Sequence, residues 1–311
     1  MKIVFFGSAE FAVPSLKALL DEGYPVSCVV TQPDRKKGRG LHTQPTPIKL
    51  LAQKQGLEIY QPQNFNLPAA LNFLKEQGAD LFVVIAYGHI LSKEVLASAK
   101  LFSLNVHASL LPKYRGAAPI NWALIKGERA SGVTVIKMSE IMDAGQIIDQ
   151  EKIEIDQKDN ALVLEEKLAH LAASLLIKSI RAIENKSYQL VQQDTAAVSF
   201  APKLKKQDGL IRWEKPAVEI YDLIRGCLGW PGAFTYYQGK LLKIYVAKVT
   251  GLPGHQVTGP GEIAEVSKEG LLVATGKDFL RINELQLEGK RRMSSEEFIA
   301  GHKINTGVKL G

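Results

Sequence analysis

Asn105, His107 and Asp143 are the residues whose types and spacing could do chemistry in this sequence. Asn105 and His107 end a short run, Ser103-Leu104-Asn105-Val106-His107, that reads as a β-strand. Alternate residues of a strand share a side, so residues 105 and 107 aim a carboxamide and an imidazole at one spot. Together these groups can hydrogen-bond a polar ligand and handle a proton. Asp143 lies in Met142-Asp143-Ala144-Gly145-Gln146, a tight turn after the clear strand Gly132-Val133-Thr134-Val135-Ile136. An aspartate just ahead of a glycine often serves only the turn, so both a structural and a chemical role stay open.

No other pattern competes. The sequence has no G-x-S-x-G elbow and no Walker loop, and Gly7-Ser8-Ala9 is not a dinucleotide-binding G-x-G-x-x-G. The six histidines are scattered, and Cys28 and Cys227 stand far apart among apolar neighbours. No metal site and no disulfide framework is expected from them, only two reduced structural thiols.

The elements that must position these groups alternate. Residues 2–6 are an apolar run ending at Gly7, and residues 9–22 carry helical spacing through Phe11, Leu16, Leu19 and Leu20. Strands are predicted at residues 26–31, 57–61, 81–87, 103–107 and 147–155, and helices at 47–55 and 67–77. The unbroken apolar run at 81–87 suits a strand buried on both faces. Repeated strand–helix–strand units predict an α/β fold, a doubly wound (Rossmann-like) parallel sheet with helices on both sides. Ligands of such sheets bind beyond the carboxyl ends of the strands, where Gly7, Tyr87-Gly88 and His107 fall. Residues 32–47, rich in Gly, Pro and cations without apolar periodicity, read as a long inserted loop.

An amphipathic helix at 160–185, with Leu164, Leu168, Leu171, Leu175 and Ile183 on one side, closes the first domain. The domains are expected at 1–188 and 207–311, joined by a polar linker at 189–206. The second domain shows short strands at 210–213, 233–237, 241–249, 261–266, 270–274 and 280–287, with a helix at 217–227. A last helix starts at Ser294, whose spacing to Glu297 fits a capping box. Short strands separated by Gly and Pro predict a small C-terminal β-barrel, OB-like.

The 311 residues are 46% hydrophobic and 23% charged, ordinary for a soluble two-domain protein. No apolar stretch is long enough to span a membrane, and the opening MKIVFFG lacks a signal-peptide core and cleavage site, so a cytoplasmic protein is expected. The net charge of +7 is moderate, but its placement is informative. Arg35, Lys36, Lys37 and Arg39 share one loop and Lys203, Lys205 and Lys206 another, as arms that could reach phosphates would. Trp213, Trp230, Tyr236 and Tyr237 could stack on bases or equally fill a core.

The run NVHASLLPKYRGAAPINW at 105–122 closely resembles the methionyl-tRNA formyltransferases, as do Gly132-Val133-Thr134 and the turn around Asp143. The likeness extends to TQPDRKKGRG at 31–40, Ala86-Tyr87-Gly88, residues 209–213, Trp230-Pro231-Gly232 and residues 290–293, and so spans nearly the whole chain. Two departures stand out. The family's usual Thr-Gly-Asp after the aspartate is Ala144-Gly145-Gln146 here, which keeps the glycine and loses a carboxylate. Leu228-Gly229 replaces the usual Asn-Pro before Trp230.

The resemblance implies Asn105, His107 and Asp143 as catalytic residues and 10-formyltetrahydrofolate as co-substrate, without a metal. It implies folate contacts at Ser109, Leu110, Leu111 and Pro112, and at the backbone of Ala86, Tyr87 and Gly88. It implies that the basic loop reaches initiator methionyl-tRNA, with Arg39 foremost. An amine attacking the formyl carbon makes an oxyanion, for which Asn105 and His107 would supply N–H donors while Asp143 orients His107 and accepts the amine's proton. One chain with two domains around one tRNA needs no second subunit, so a monomer is expected. A formyltransferase of small amines, a folate hydrolase and a non-catalytic tRNA-binding protein are the alternatives. The basic loop and barrel disfavour the small-amine enzyme, and the intact trio disfavours the non-catalytic protein.

Overall fold

The structure is a computed structural model that describes residues 1–37, 42–64, 67–251 and 259–311. Its chain divides into two compact units, residues 1–119, 130–154 and 165–202 forming the first and residues 120–129, 155–164 and 203–311 the second.

The first unit is built on a seven-stranded sheet. In chain order come β1 (Ile3–Gly7), α1 (Val13–Asp21), β2 (Val26–Val30), the short pair β3 (Arg35–Lys37) and β4 (His42–Gln44), α2 (Pro47–Lys54) and β5 (Ile59–Tyr60). There follow α3 (Pro68–Glu76), β6 (Leu81–Ile85), α4 (Lys93–Leu96), β7 (Phe102–His107), then α5 (Pro119–Ile125), which belongs almost wholly to the second unit, and β8 (Ala130–Lys137), β9 (Gln146–Glu154) and α6 (Ala161–Glu184). The sheet order is β5-β2-β1-β6-β7-β8-β9. Every residue of β1 and β6 is buried, as central strands covered on both faces require. Phe6, Phe82, Leu74 and Val95 pack in the core on one side of these strands.

The expected parallel sheet is mixed. The first five strands in that order pair in parallel, but β8 runs antiparallel to both β7 and β9. The β8–β9 connection, residues 138–145, is shorter than the roughly a dozen residues that a parallel crossover needs. The inserted loop is also less bare than its composition suggests, because β3 and β4 pair as an antiparallel hairpin with Arg35 opposite Gln44.

The second unit holds α7 (Ala217–Gly226), β10 (Ala233–Tyr237), β11 (Lys240–Thr250), β12 (Ile263–Ser267), β13 (Gly270–Ala274), β14 (Phe279–Leu287), β15 (Met293–Ser294) and α8 (Ser295–Gly301). Its strands pair antiparallel in the order β10-β11-β14-β13-β12, with β15 added to β14. The strand expected at 210–213 is a single bridge from Leu210 to Phe234. Trp213 and Tyr237 belong to this unit's buried core, with the Trp213 indole N–H donating to the Thr235 hydroxyl, so neither offers a face for stacking. Trp230 and Tyr236 are exposed. Ser294 and Glu297 exchange both hydrogen bonds of the predicted capping box.

Cys28 and Cys227 are buried free thiols, each pushed up to about 12 by burial. Among the described residues no helix is long and apolar enough to cross a membrane.

Phe298, fully buried on α8 against the edge of Tyr237, anchors the second unit's core. Phe298→Ala should cost about 3–5 kcal/mol by the transfer and cavity terms of a lost core aromatic. Urea denaturation followed by fluorescence measures it, and a loss under about 1 kcal/mol would show that the site collapses to fill the space.

Candidate active site

β7 delivers Asn105 and His107 to its carboxyl end, where β8 pairs Thr134 with His107 and Ile136 with Asn105. Asp143 comes from the β8–β9 turn and sits in the left-handed region at φ 53°. The turn closes tightly because residue 145 is glycine: a Cβ there would lie 1.8 Å from the Lys137 carbonyl oxygen. The kept glycine of the sequence motif thus has a steric reason that does not involve the missing carboxylate at 146.

Three side chains predicted from sequence meet here. Asn105 Nδ2 donates to Asp143 Oδ1 at 3.1 Å, and His107 Nδ1 lies 3.7 Å from the same oxygen. Asp143 Oδ2 accepts from the Gly116 backbone N–H at 2.9 Å. The His107 and Asp143 side chains are only 7% and 10% exposed, so the carboxylate is largely removed from water and held by two N–H donors. His107 Nε2 is 2.9 Å from the Tyr114 carbonyl oxygen. A carbonyl only accepts, so Nε2 carries a proton. At 3.7 Å, Nδ1 and Asp143 are beyond hydrogen-bond reach and interact as a close charged pair only when the ring is protonated.

The residues expected at the folate face differently from one another. Ser109 and Leu111 are buried: the Ser109 hydroxyl donates to the Lys113 carbonyl, and Leu111 N–H donates to the Thr134 hydroxyl. Thr134 in turn donates to the Ser109 carbonyl, and Gln150 Nε2 donates to Thr134 and to the Leu111 carbonyl. The loop 109–112 is therefore fixed from beneath by β8 and β9, with Leu110 and Pro112 half-buried. Ala86, at φ 46°, and Gly88 are exposed. The Tyr87 side chain is packed edge-on against Phe6 in the core, and its carbonyl accepts from Gln32 and Ser8. Of that triplet, residues 86 and 88 are the parts that solvent can reach.

Among the basic candidates, Arg35, Lys203, Lys205 and Lys206 are exposed. Arg39 lies outside the described residues, as do the side chains of Lys36 and Lys37. The base of the basic hairpin is anchored, since Asp34 accepts from Lys49 at 2.7 Å and from Gln61 at 2.9 Å. These hydrogen bonds hold the Asp34 carboxyl below the usual carboxylate range. No cluster of His, Cys, Asp or Glu placed to hold a metal occurs among the described residues.

Sequence reasoning passed over several residues that build this site. Tyr114 and Gly116 act through backbone atoms, which no side-chain pattern reveals. Thr134 and Gln150 look like ordinary strand residues. Residues 191–201, expected as linker, pair with the first unit: Val191 bridges Ile147, and Phe200 bridges Arg115. The site has an arrangement suited to placing N–H donors and a buried carboxylate around one polar reaction centre.

Both parts of the chain match models of one family. Residues 1–180 match the formyl transferase model and residues 203–303 match the formyl transferase C-terminal domain. The chain is 44% identical over 311 residues to a methionyl-tRNA formyltransferase of Acetivibrio thermocellus, covering 100% of both chains. The same figures hold for the methionyl-tRNA formyltransferase of Caldanaerobacter subterraneus subsp. tengcongensis. In fold it is similar to a sugar 3N-formyl transferase, WlaRD, with TM-score 0.68 at 22% identity over 94% of this chain and 99% of that one. It is also similar to HypX from Aquifex aeolicus in complex with tetrahydrofolic acid, with TM-score 0.66 at 17% identity over 96% of this chain and 47% of that one. By its two matched domains and its full-length relatives, this chain belongs to the formyl transferase family.

Proposed function

We propose that this protein transfers the formyl group of 10-formyltetrahydrofolate to the amino group of methionine on initiator methionyl-tRNA. The observation that carries the chemistry is the meeting of Asn105, His107 and Asp143 around one buried carboxylate oxygen. The full-length likeness to proteins named for this reaction supports the acceptor.

The methionine nitrogen attacks the formyl carbon, and the carbonyl π electrons move to oxygen. A carboxamide has two N–H groups and Asn105 commits one to Asp143, so the second can meet the oxyanion. His107 supplies an imidazole N–H to the same oxygen. A donor fixed where charge develops is worth about 3–4 kcal/mol when removed singly. Asp143 orients Asn105 through their hydrogen bond, places a carboxylate oxygen 3.7 Å from His107 Nδ1, and takes, directly or through a water, the proton that the amine loses. Asp143 passes that proton on to the folate nitrogen, and collapse of the intermediate breaks its bond to the formyl carbon, leaving formylmethionyl-tRNA and tetrahydrofolate. Exposed Ala86 and Gly88, with half-buried Leu110 and Pro112, line the folate side of this centre.

Arg35 and Arg39 of the basic loop sequence, with Lys203, Lys205 and Lys206, bind tRNA through its phosphates. Residues 1–188 act as the catalytic domain and 207–311 as a tRNA-binding domain, in a cytoplasmic monomer.

Protein mixed with methionyl-charged initiator tRNA and 10-formyltetrahydrofolate should yield formylmethionine on the tRNA. Formylation only of an amino sugar or another small amine, or no formylation at all, would sink the reading. His107→Ala and Asp143→Asn should each lower kcat by about 10²- to 10⁴-fold, with the KM for folate little changed. Near-normal turnover in both would remove the catalytic assignment. Arg39→Ala should raise the KM for tRNA and flatten its dependence on salt, the log–log slope falling by about 0.7–0.9 for one lost phosphate contact. An unchanged slope would mean that Arg39 touches no phosphate.

A further inference from the structure

Asp143 is gripped at both ends by a closed ring of hydrogen bonds. Gln193 Nε2 donates to the Asp143 carbonyl at 2.7 Å and to the Gly145 carbonyl at 2.8 Å. Gln193 Oε1 accepts from Arg115 Nη2 at 2.7 Å and from Arg115 Nε at 3.1 Å. The next peptide after Arg115 closes the ring, as Gly116 N–H donates to Asp143 Oδ2 at 2.9 Å. Chemistry fixes the orientation of the Gln193 amide: a guanidinium only donates and carbonyls only accept. Both amide hydrogens and both oxygen lone pairs of Gln193 are thereby used, in a residue that is 8% exposed.

The ring is itself braced. Arg115 N–H donates to the Ser199 carbonyl and Ala201 N–H donates to the Arg115 carbonyl, while Tyr114 N–H donates to the Ser199 hydroxyl. At Gly116, with φ 123°, a Cβ would lie 2.6 Å from the Ala201 carbonyl oxygen, so the two segments approach as closely as glycine allows. Such bracing suits a residue that must hold an unfavourable conformation, and Asp143 at φ 53° is one.

We propose that Gln193 and Arg115 are positioning residues for the formyl-transfer step: their ring fixes the Asp143 carboxylate against Asn105 and His107, so they set turnover without touching substrate. This rests on Asp143 being catalytic. It assigns a function to a stretch whose composition suggests only a connection between domains.

The test is steady-state and single-turnover kinetics on the full chain with methionyl-tRNA and 10-formyltetrahydrofolate. Gln193→Met keeps the volume and removes all four hydrogen bonds. It should lower kcat by about 10- to 100-fold, the scale of a misplacement of about 1 Å, with both KM values within about twofold. Gln193→Glu should fare as badly, because it keeps the Arg115 contact but turns a carboxylate oxygen toward two carbonyls. Arg115→Met, which leaves Gln193 in place, should show a smaller loss in kcat and serves in the same tests if Gln193→Met does not fold.

The deciding readout is a double-mutant cycle with Asp143→Asn. Once the carboxylate is gone, Gln193→Met should cost less than about twofold more, whereas a role in general stability would multiply in full. Full multiplication, or Gln193→Met and Arg115→Met both within about twofold of the parent, would overturn the proposal. Normal turnover in Asp143→Asn alone would instead overturn the active-site reading on which it stands.

Discussion

A carboxylate taken out of water must have its charge answered by fixed donors, and that constraint governs the architecture around Asp143. Its two oxygens receive Asn105 Nδ2 and Gly116 N–H, from different parts of the first unit. An unanswered buried charge of this kind costs several kcal/mol, roughly the scale of a domain's whole stability. The turn that carries it must therefore be exact in register, which is why Gly145 presses against the Lys137 carbonyl and why the chain accepts a left-handed residue at 143.

The sheet supplies the frame for that turn. Five parallel strands bring Gly7, Ala86 and His107 to one edge, the usual location of a ligand in such sheets. The reversal at β8 then returns the chain beside β7, so Thr134 faces His107 across the pair. From that position its hydroxyl serves both Ser109 and Leu111, and Gln150 on β9 completes the network. Partly satisfied polar networks are costly inside a protein, while complete ones rigidify what they join. The loop 109–112 is thus held by the same two strands whose connecting turn presents Asp143.

How much of this was legible in the sequence follows from how local each signal is. Strand alternation placed Asn105 and His107 on one side, and apolar runs located β1, β6 and the long helix α6 to within a few residues. The capping box at Ser294 was readable because its partners are three residues apart. Asp143 could not be raised above a turn residue by spacing, since its partners lie 38 and 27 positions away; the family resemblance supplied it. Gln193 was invisible for the same reason, with its carbonyls 50 and 48 residues off and its arginine 78. Hydrophilic sequence without periodicity looks like linker whether it is solvated or stitched by backbone bridges, and residues 191–201 are the latter. The Trp213 and Tyr237 rings looked like possible stacking platforms because side-chain type does not tell which face of a strand meets the core.

The hydrogen bond from His107 Nε2 to the Tyr114 carbonyl bears on how such a site would favour a transition state over its substrate. In the mechanism proposed above, the proton that would meet the oxyanion is already held by a neutral carbonyl. A substrate carbonyl entering the site offers no stronger an acceptor, so it gains little by displacing Tyr114. The oxyanion that forms on attack does, because a hydrogen bond to a charged partner is roughly twice as strong as one between neutral groups. On that mechanism the donor would be released to the reaction only as charge develops, which would strengthen binding in the transition state more than in the ground state. Such an exchange works only if the imidazole turns little and its neighbours hold still. The rigidity of the Asp143 turn and of the 109–116 loop is the property that permits it.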